Sequence, residues 1–343
     1  MANLKEAMLY EKLDKGNVKC NLCAHRCVIV PSKRGICCVR QNIDGVLYSL
    51  VYGKATALNV DPIEKKPFYH FYPGSKSLSM ATIGCNFRCT FCQNHDISQA
   101  SKKGWEGTER KEILPAEVIN LAIKYSCRSI SYTYTEPTIF FEYAYETAKL
   151  AVNAGIANNF VTNGFMTEEA LNTISPYLHA ANVDLKCFNE ETYVKLMGGR
   201  LQPVLDSLKL MKKLKIWIEI TTLILPTIND SDEELSEIAN FIAELGKDTP
   251  WHVSRFHPDY NMMDIPPTPV ETIKRAREIG KKAGLCYVYT GNILWHEGEA
   301  TCCCKCGNLL VERTGFSINE SFIKESCCPK CKEPVDGVGM GRE

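Results

Sequence analysis

Residues 85–92 read CNFRCTFC. Three cysteines, Cys85, Cys89 and Cys92, are spaced C-x3-C-x2-C directly after the apolar run SLSMATIG, whose composition predicts a strand. Cysteine sets that close around a metal usually number four. Three thiolates instead leave one iron of a [4Fe-4S] cluster open to an outside ligand, by the same logic that leaves catalytic zinc one position short. On spacing alone, a zinc knuckle completed by His95 is the alternative.

Downstream of this triplet, helical and strand patterns alternate. LPAEVINLAIKYS precedes RSISYTY, FFEYAYETAKLAVNAG precedes ANNFVTN, TEEALNTISPYL precedes AANVDLK, and LQPVLDSLKLMKKL precedes IWIEITTLIL. SDEELSEIANFIAELG with WHVSRFH and PVETIKRAREIGKKAG with LCYVYTG complete the series. Ser231 and Glu234 read as a capping box and Gly246 as a left-handed stop; Thr268, Pro269 and Glu271 read as a second helix start, ended by Gly284. Regular alternation implies an α/β fold with a parallel sheet, either a full or partial (βα) barrel or an open doubly wound sheet. About six or seven units fit between residues 78 and 291, and ligand chemistry belongs at the C-terminal ends of their strands. The triplet lies at the first such end.

The rest of the chain narrows the setting. Its 343 residues are 45% hydrophobic, with 40 Lys and Arg against 40 Asp and Glu. Nothing in that balance calls for nucleic acid or an anionic membrane, and no stretch approaches the ~18 apolar residues of a membrane span. The reading is a soluble cytoplasmic protein. There disulfides are rare and clustered thiols hold metal or do redox chemistry, so 18 cysteines in groups favour metal. Cys303-x2-Cys306 and Cys328-x2-Cys331 have zinc-ribbon spacing, with a rubredoxin-like iron site as runner-up. Cys302, Cys304 and Cys327 are then spare thiols. At the other end, Cys20-x2-Cys23-x3-Cys27-x9-Cys37 suits zinc or an auxiliary iron-sulfur cluster, with Cys38 spare. Cys127, Cys187 and Cys286 read as inert, buried small hydrophobes. Three segments follow: a cysteine-rich module with a β-hairpin segment at 1–77, a barrel at 78–297, and a zinc-ribbon-like module at 298–343.

The triplet in CNFRCTFCQN, with Phe91 just before its third cysteine, resembles the signature of the radical S-adenosylmethionine (SAM) enzymes. Further strand ends fit that resemblance in order: YTYTEP with Glu136 in register, VTNG with Asn163, VDLK with Asp184 and Lys186, and RFH with His257. VTNG and VDLK are similar to the glycyl-radical-enzyme activases, such as pyruvate formate-lyase activating enzyme. Tyr134 and Thr135 stand where that pattern has glycines. CNLCAHRC…GICCVR, YGKATALNVDPIEKKPFYHFYPGS and the paired C-x2-C at the end resemble the radical SAM enzymes of the AmmeMemoRadiSam system, over residues 20 to 338.

The resemblance implies a partial (βα)6-type barrel with SAM on the open iron. Cys85, Cys89 and Cys92 would hold the cluster, Phe91 pack against adenine, Glu136 meet the methionine amino group, and Asn163, Asp184, Lys186 and His257 contact SAM. It also implies a one-electron donor such as flavodoxin or ferredoxin. The expected activity is reductive SAM cleavage, giving a 5′-deoxyadenosyl radical that takes hydrogen from a substrate, on a partner protein in the favoured version. The alternatives are a glycyl-radical activase and a non-enzymatic iron-sulfur or zinc interaction protein, which would not bind SAM.

Overall fold

The computed structural model describes residues 4–104, 111–293 and 296–341. Its centre is one eight-stranded sheet, which we number β1 (Ala57–Pro62), β2 (Lys76–Ala81), β3 (Ser129–Tyr132), β4 (Ala157–Thr162), β5 (Ala180–Asp184), β6 (Trp217–Ile224), β7 (Trp251–Arg255) and β8 (Val288–Gly291). The strands lie side by side in chain order, with β1 and β8 at the two ends. β2 to β8 pair in parallel and β1 pairs antiparallel to β2. Six helices make the crossovers: α1 (Pro115–Lys124), α2 (Phe141–Asn153), α3 (Glu168–Ile174), α4 (Leu201–Lys213), α5 (Asp232–Leu245) and α6 (Val270–Lys282). The architecture is thus the expected (βα)6 unit, extended by a seventh parallel strand at one edge and an antiparallel strand at the other. Because β1 and β8 remain unpaired with each other, the barrel stays open.

Two helix boundaries differ from the sequence reading. Ser231 caps α5 by accepting from the Glu234 amide at 3.2 Å. Gly246 ends that helix at φ 152° and ψ 130°, a positive-φ extended conformation rather than the left-handed helical one. Thr268 is not a cap. Its hydroxyl donates to the Ile224 carbonyl at 2.5 Å and accepts from the Phe256 amide at 3.1 Å, joining the exits of β6 and β7, while Pro269 occupies the position before α6.

The N-terminal part forms two small antiparallel sheets, and its apolar residues, among them Val18, Leu22, Val39 and Leu47, merge with the barrel core. A buried ion pair, Arg40 to Glu142 at 2.9 Å, ties them to α2. The C-terminal part has its own core of Cys303, Leu310, Val311, Cys328, Val335 and Met340. It docks on the segment between β1 and β2. The Tyr72 amide donates to the Val338 carbonyl at 2.7 Å, and Arg313 covers the Tyr69 ring at 4.3 Å. Cys286 and Cys304 are bonded to each other, their Cα atoms 5.1 Å apart, which corrects the reading of one as a buried hydrophobe and the other as a spare thiol.

Candidate active site at the open barrel

The C-terminal ends of β2 to β6 surround a cavity of about 360 Å³. Cys85, Cys89 and Cys92 form one wall with Phe87 and Phe91; Asn163, Asp184 and Lys186 face them from β4 and β5. Seven of the residues singled out from sequence therefore meet in one place. The cysteine loop is held from outside by the Arg88 and Thr90 amides, which donate to the carbonyls of Met197 and Leu196. Close approach there needs glycine: a Cβ on Gly199 would lie 2.3 Å from the Phe87 ring, and Gly198 sits at φ 70° against Arg88. The run LMGGR carried that signal and sequence reasoning did not use it.

Burial pushes the Cys89 thiol up to about 12, and Lys186 pulls against that shift. Cys85 moves the same way, again through burial and then through Glu136. Loading a metal here must release protons. Lys186 pairs with Asp184 at 2.7 Å; burial works against the ammonium, but Asp184 and the neighbouring Cys89 carry its pKa upward, so the site keeps a positive charge beside the thiols.

Glu136 and His257 stand apart from this wall. Glu136 is fully buried, and its carboxylate accepts from the Thr138 amide at 3.0 Å, the Thr138 hydroxyl at 2.5 Å, the Thr162 hydroxyl at 2.8 Å and the Asn163 amide at 2.8 Å. Burial raises its pKa, and Thr138 and Asn163 partly reverse this. Its oxygens are engaged by its own chain, and one of them holds the Asn163 backbone in place beside the cavity. His257 is exposed on the rim, where Gln93, a cavity residue, donates to its ring at 3.3 Å. His95 stacks on Tyr260 at 4.6 Å, and its Nε2 lies 3.5 Å from Asp259.

Tyr134, in a position where the resembled pattern has glycine, adopts φ 67°, a conformation that glycine takes easily. Its hydroxyl donates to Asp61 at 2.8 Å and accepts from Lys66 at 3.0 Å, and Lys66 pairs with Asp61 at 2.7 Å. Those three groups hold the strained backbone in place.

A second cavity, about 300 Å³, adjoins the first and shares Pro67, Thr221 and Ser254 with it. It lies at the β8 edge between Thr290, Asn292 and the C-terminal hairpin tip Gly315–Phe316. Away from the barrel, the sulfurs of Cys303, Cys306, Cys328 and Cys331 all fall within 4.8 Å of one another, a set that could hold a metal ion.

Comparison with known proteins agrees with this geometry. Residues 80–242 match the family model of the radical SAM superfamily. An uncharacterized protein of Methanocaldococcus jannaschii is 46% identical over 98% of this chain and 100% of its own length. The chain belongs to the radical SAM superfamily. Further relatives are less similar: a putative glycyl-radical enzyme activating enzyme of Methanocaldococcus jannaschii is 26% identical, covering 61% of this chain and 78% of that protein. The pyruvate formate-lyase-activating enzyme of Clostridium pasteurianum is 24% identical over 53% of this chain and 80% of its own. In structure, a radical SAM methyltransferase from Sphaerobacter thermophilus superposes with a TM-score of 0.50 at 16% identity, covering 70% of this chain and 71% of that one. Members of the superfamily are enzymes, and this chain is one of them; among its described residues no helix is long and apolar enough to cross a membrane.

Proposed function

We propose that this enzyme cleaves SAM reductively at a [4Fe-4S] cluster held by Cys85, Cys89 and Cys92, and removes hydrogen from a substrate presented by a partner protein. The observation that carries the reading is the single cavity in which three thiols face Asn163, Asp184 and Lys186. Cys85, Cys89 and Cys92 would hold the cluster, which with SAM bound would supply one-electron radical chemistry at this wall. The protein supplies position and a water-poor wall. Phe91, 3% exposed, offers an apolar face for the adenine ring. Asp184 and Lys186 offer the two charges that orient a zwitterionic ligand, while Glu136 holds Asn163 and His257 guards the rim through Gln93. The second cavity, opening between β8 and the C-terminal hairpin, is the route by which substrate reaches the first.

A partner protein fits the names of the activating-enzyme relatives, which act on an enzyme. The narrower reading, a glycyl-radical activase, is favoured by the same relatives, but they align with only 61% and 53% of this chain. An external one-electron carrier of the flavodoxin or ferredoxin class completes the reaction. The C-terminal thiols hold zinc in a closed structural site. The test of the central reading is direct: anaerobic enzyme given reductant and SAM releases 5′-deoxyadenosine, and Cys89→Ala abolishes that release. Release by the variant at the wild-type rate would overturn the assignment.

A further inference from the structure

The N-terminal cysteines form a group that the barrel site does not use. Cys20 ends the strand Val18–Cys20, Cys23 and Cys27 lie on the connection to Val28–Ile29, and Cys37 comes from the turn ahead of Arg40–Ile43. All four line one apolar cavity, closed on its far side by Thr138 and Ile139. Cys20 and Cys37 are 7% and 8% exposed, so the group sits within the fold and not on its surface.

The separation of the sulfurs distinguishes the occupant. A single zinc ion, with Zn–S bonds of about 2.3 Å, draws its four thiolates to roughly 3.8 Å from one another. The C-terminal set has that form, with Cys303 and Cys331 sulfurs 3.5 Å apart and Cys306 and Cys328 sulfurs 3.7 Å apart. Among the described residues it is the set whose ligand atoms all fall within 4.8 Å. Among the described residues neither the N-terminal thiols nor the central triplet forms such a compact set. A cubane cluster separates its ligands by roughly 6 Å, because each thiolate binds a different iron.

A second observation points to an anion in the same place. Arg40, on the cavity wall, is 2% exposed. Its terminal nitrogens reach Glu142 and the Met8 carbonyl, while its Nε has no hydrogen-bond partner among the described residues. A buried N–H left without an acceptor is costly, and the sulfur of a thiolate-ligated cluster is an acceptor of the right charge.

We propose that Cys20, Cys23, Cys27 and Cys37 hold a second [4Fe-4S] cluster, ligated at every iron by protein. With no open iron it does not take SAM, which separates it from the barrel site in kind. It sits directly behind that site. Thr138, on its cavity wall, donates twice to Glu136, and His25, also on the wall, donates to the Asn86 carbonyl at 2.9 Å inside the CNFRCTFC loop.

The test is metal and sulfide analysis of the full chain, reconstituted without oxygen. Wild type is expected to carry about eight irons and about eight sulfides with about one zinc. The variant Cys85→Ala/Cys89→Ala/Cys92→Ala should retain about four irons and four sulfides, with a reduced-state paramagnetic signal that SAM leaves unchanged. Cys23→Ser/Cys37→Ser should lose that same signal while the SAM-sensitive one remains. About four irons and two zincs in the wild type would overturn the proposal, as would a folded triple variant holding no iron. Should the triple variant fail to fold, the wild-type iron-to-zinc ratio decides the matter unaided. Failure of the barrel reading would show differently, as a wild type whose signals are all indifferent to SAM.

Discussion

At Tyr134 the backbone takes a conformation that an L side chain enters at a cost of about 1–2 kcal/mol. The side chain repays that cost by anchoring to Asp61 and Lys66. Removing the anchor and keeping a Cβ leaves the strain uncompensated. Tyr134→Ala is therefore expected to be less stable than Tyr134→Gly by about 1 kcal/mol, read as the difference in denaturation midpoint at equal slope. Asp184 makes a different prediction. It is not one of the cluster thiols, and both it and its partner Lys186 act on Cys89 through their charges. Asp184→Ala should weaken SAM binding about tenfold, equal to about 1.4 kcal/mol, with cluster iron unchanged. Unaltered affinity in titration calorimetry would reduce the pair to a structural one. The sequence made Asp184 and Lys186 visible because VDLK matches a known strand end. The hydrogen-bond partners of Glu136 were hidden, since which groups bond a buried carboxylate depends on how two strand ends meet, here YTYTEP and VTNG.

Among elements, the alternation of helix and strand was readable to within a few residues, because each crossover helix has one apolar face and the parallel strands are largely buried. The segment from Ile63 to Ser75 was not readable, since its order comes from contacts distant in sequence. Glu219 on β6 accepts from the amides of Tyr69 and His70 at 3.0 and 2.8 Å and lies 2.7 Å from His252 Nε2. Burial would raise the pKa of this carboxylate, but His252 and His70 outweigh it and hold it below the usual range. A depressed carboxylate adds stability that is full above its unfolded pKa of about 4.3 and disappears as pH falls through the folded value. Acid unfolding should accordingly steepen below about pH 4 in the wild type and flatten in Glu219→Gln. Glu219→Ala, which strands His252 and two amides, should cost about 3 kcal/mol at neutral pH in chemical denaturation.

Taken whole, the molecule is an open barrel with a cysteine-rich piece fused into its core at one end of the chain and a self-contained one docked at the other. The C-terminal core contains few apolar side chains besides the thiols, so its folding is expected to depend on the metal those thiols could hold. With zinc bound there as proposed, a chelator should melt this unit first, detected as a separate low-temperature transition in calorimetry, with the barrel transition following at nearly its original midpoint. Iron recovered in place of zinc would favour the rubredoxin-like centre. The spacing of these cysteines announced the unit, whereas its docking on Tyr69 and Tyr72 could not be read, because it rests on a backbone bridge and on Arg313. The bond between Cys286 and Cys304 was missed for a related reason: the two lie on opposite sides of the junction between barrel and ribbon. That bond closes a covalent loop around the junction. A protease that cuts the chain anywhere between those two cysteines would leave both pieces travelling as one band on a denaturing gel, and only a thiol added to the sample would let them run apart.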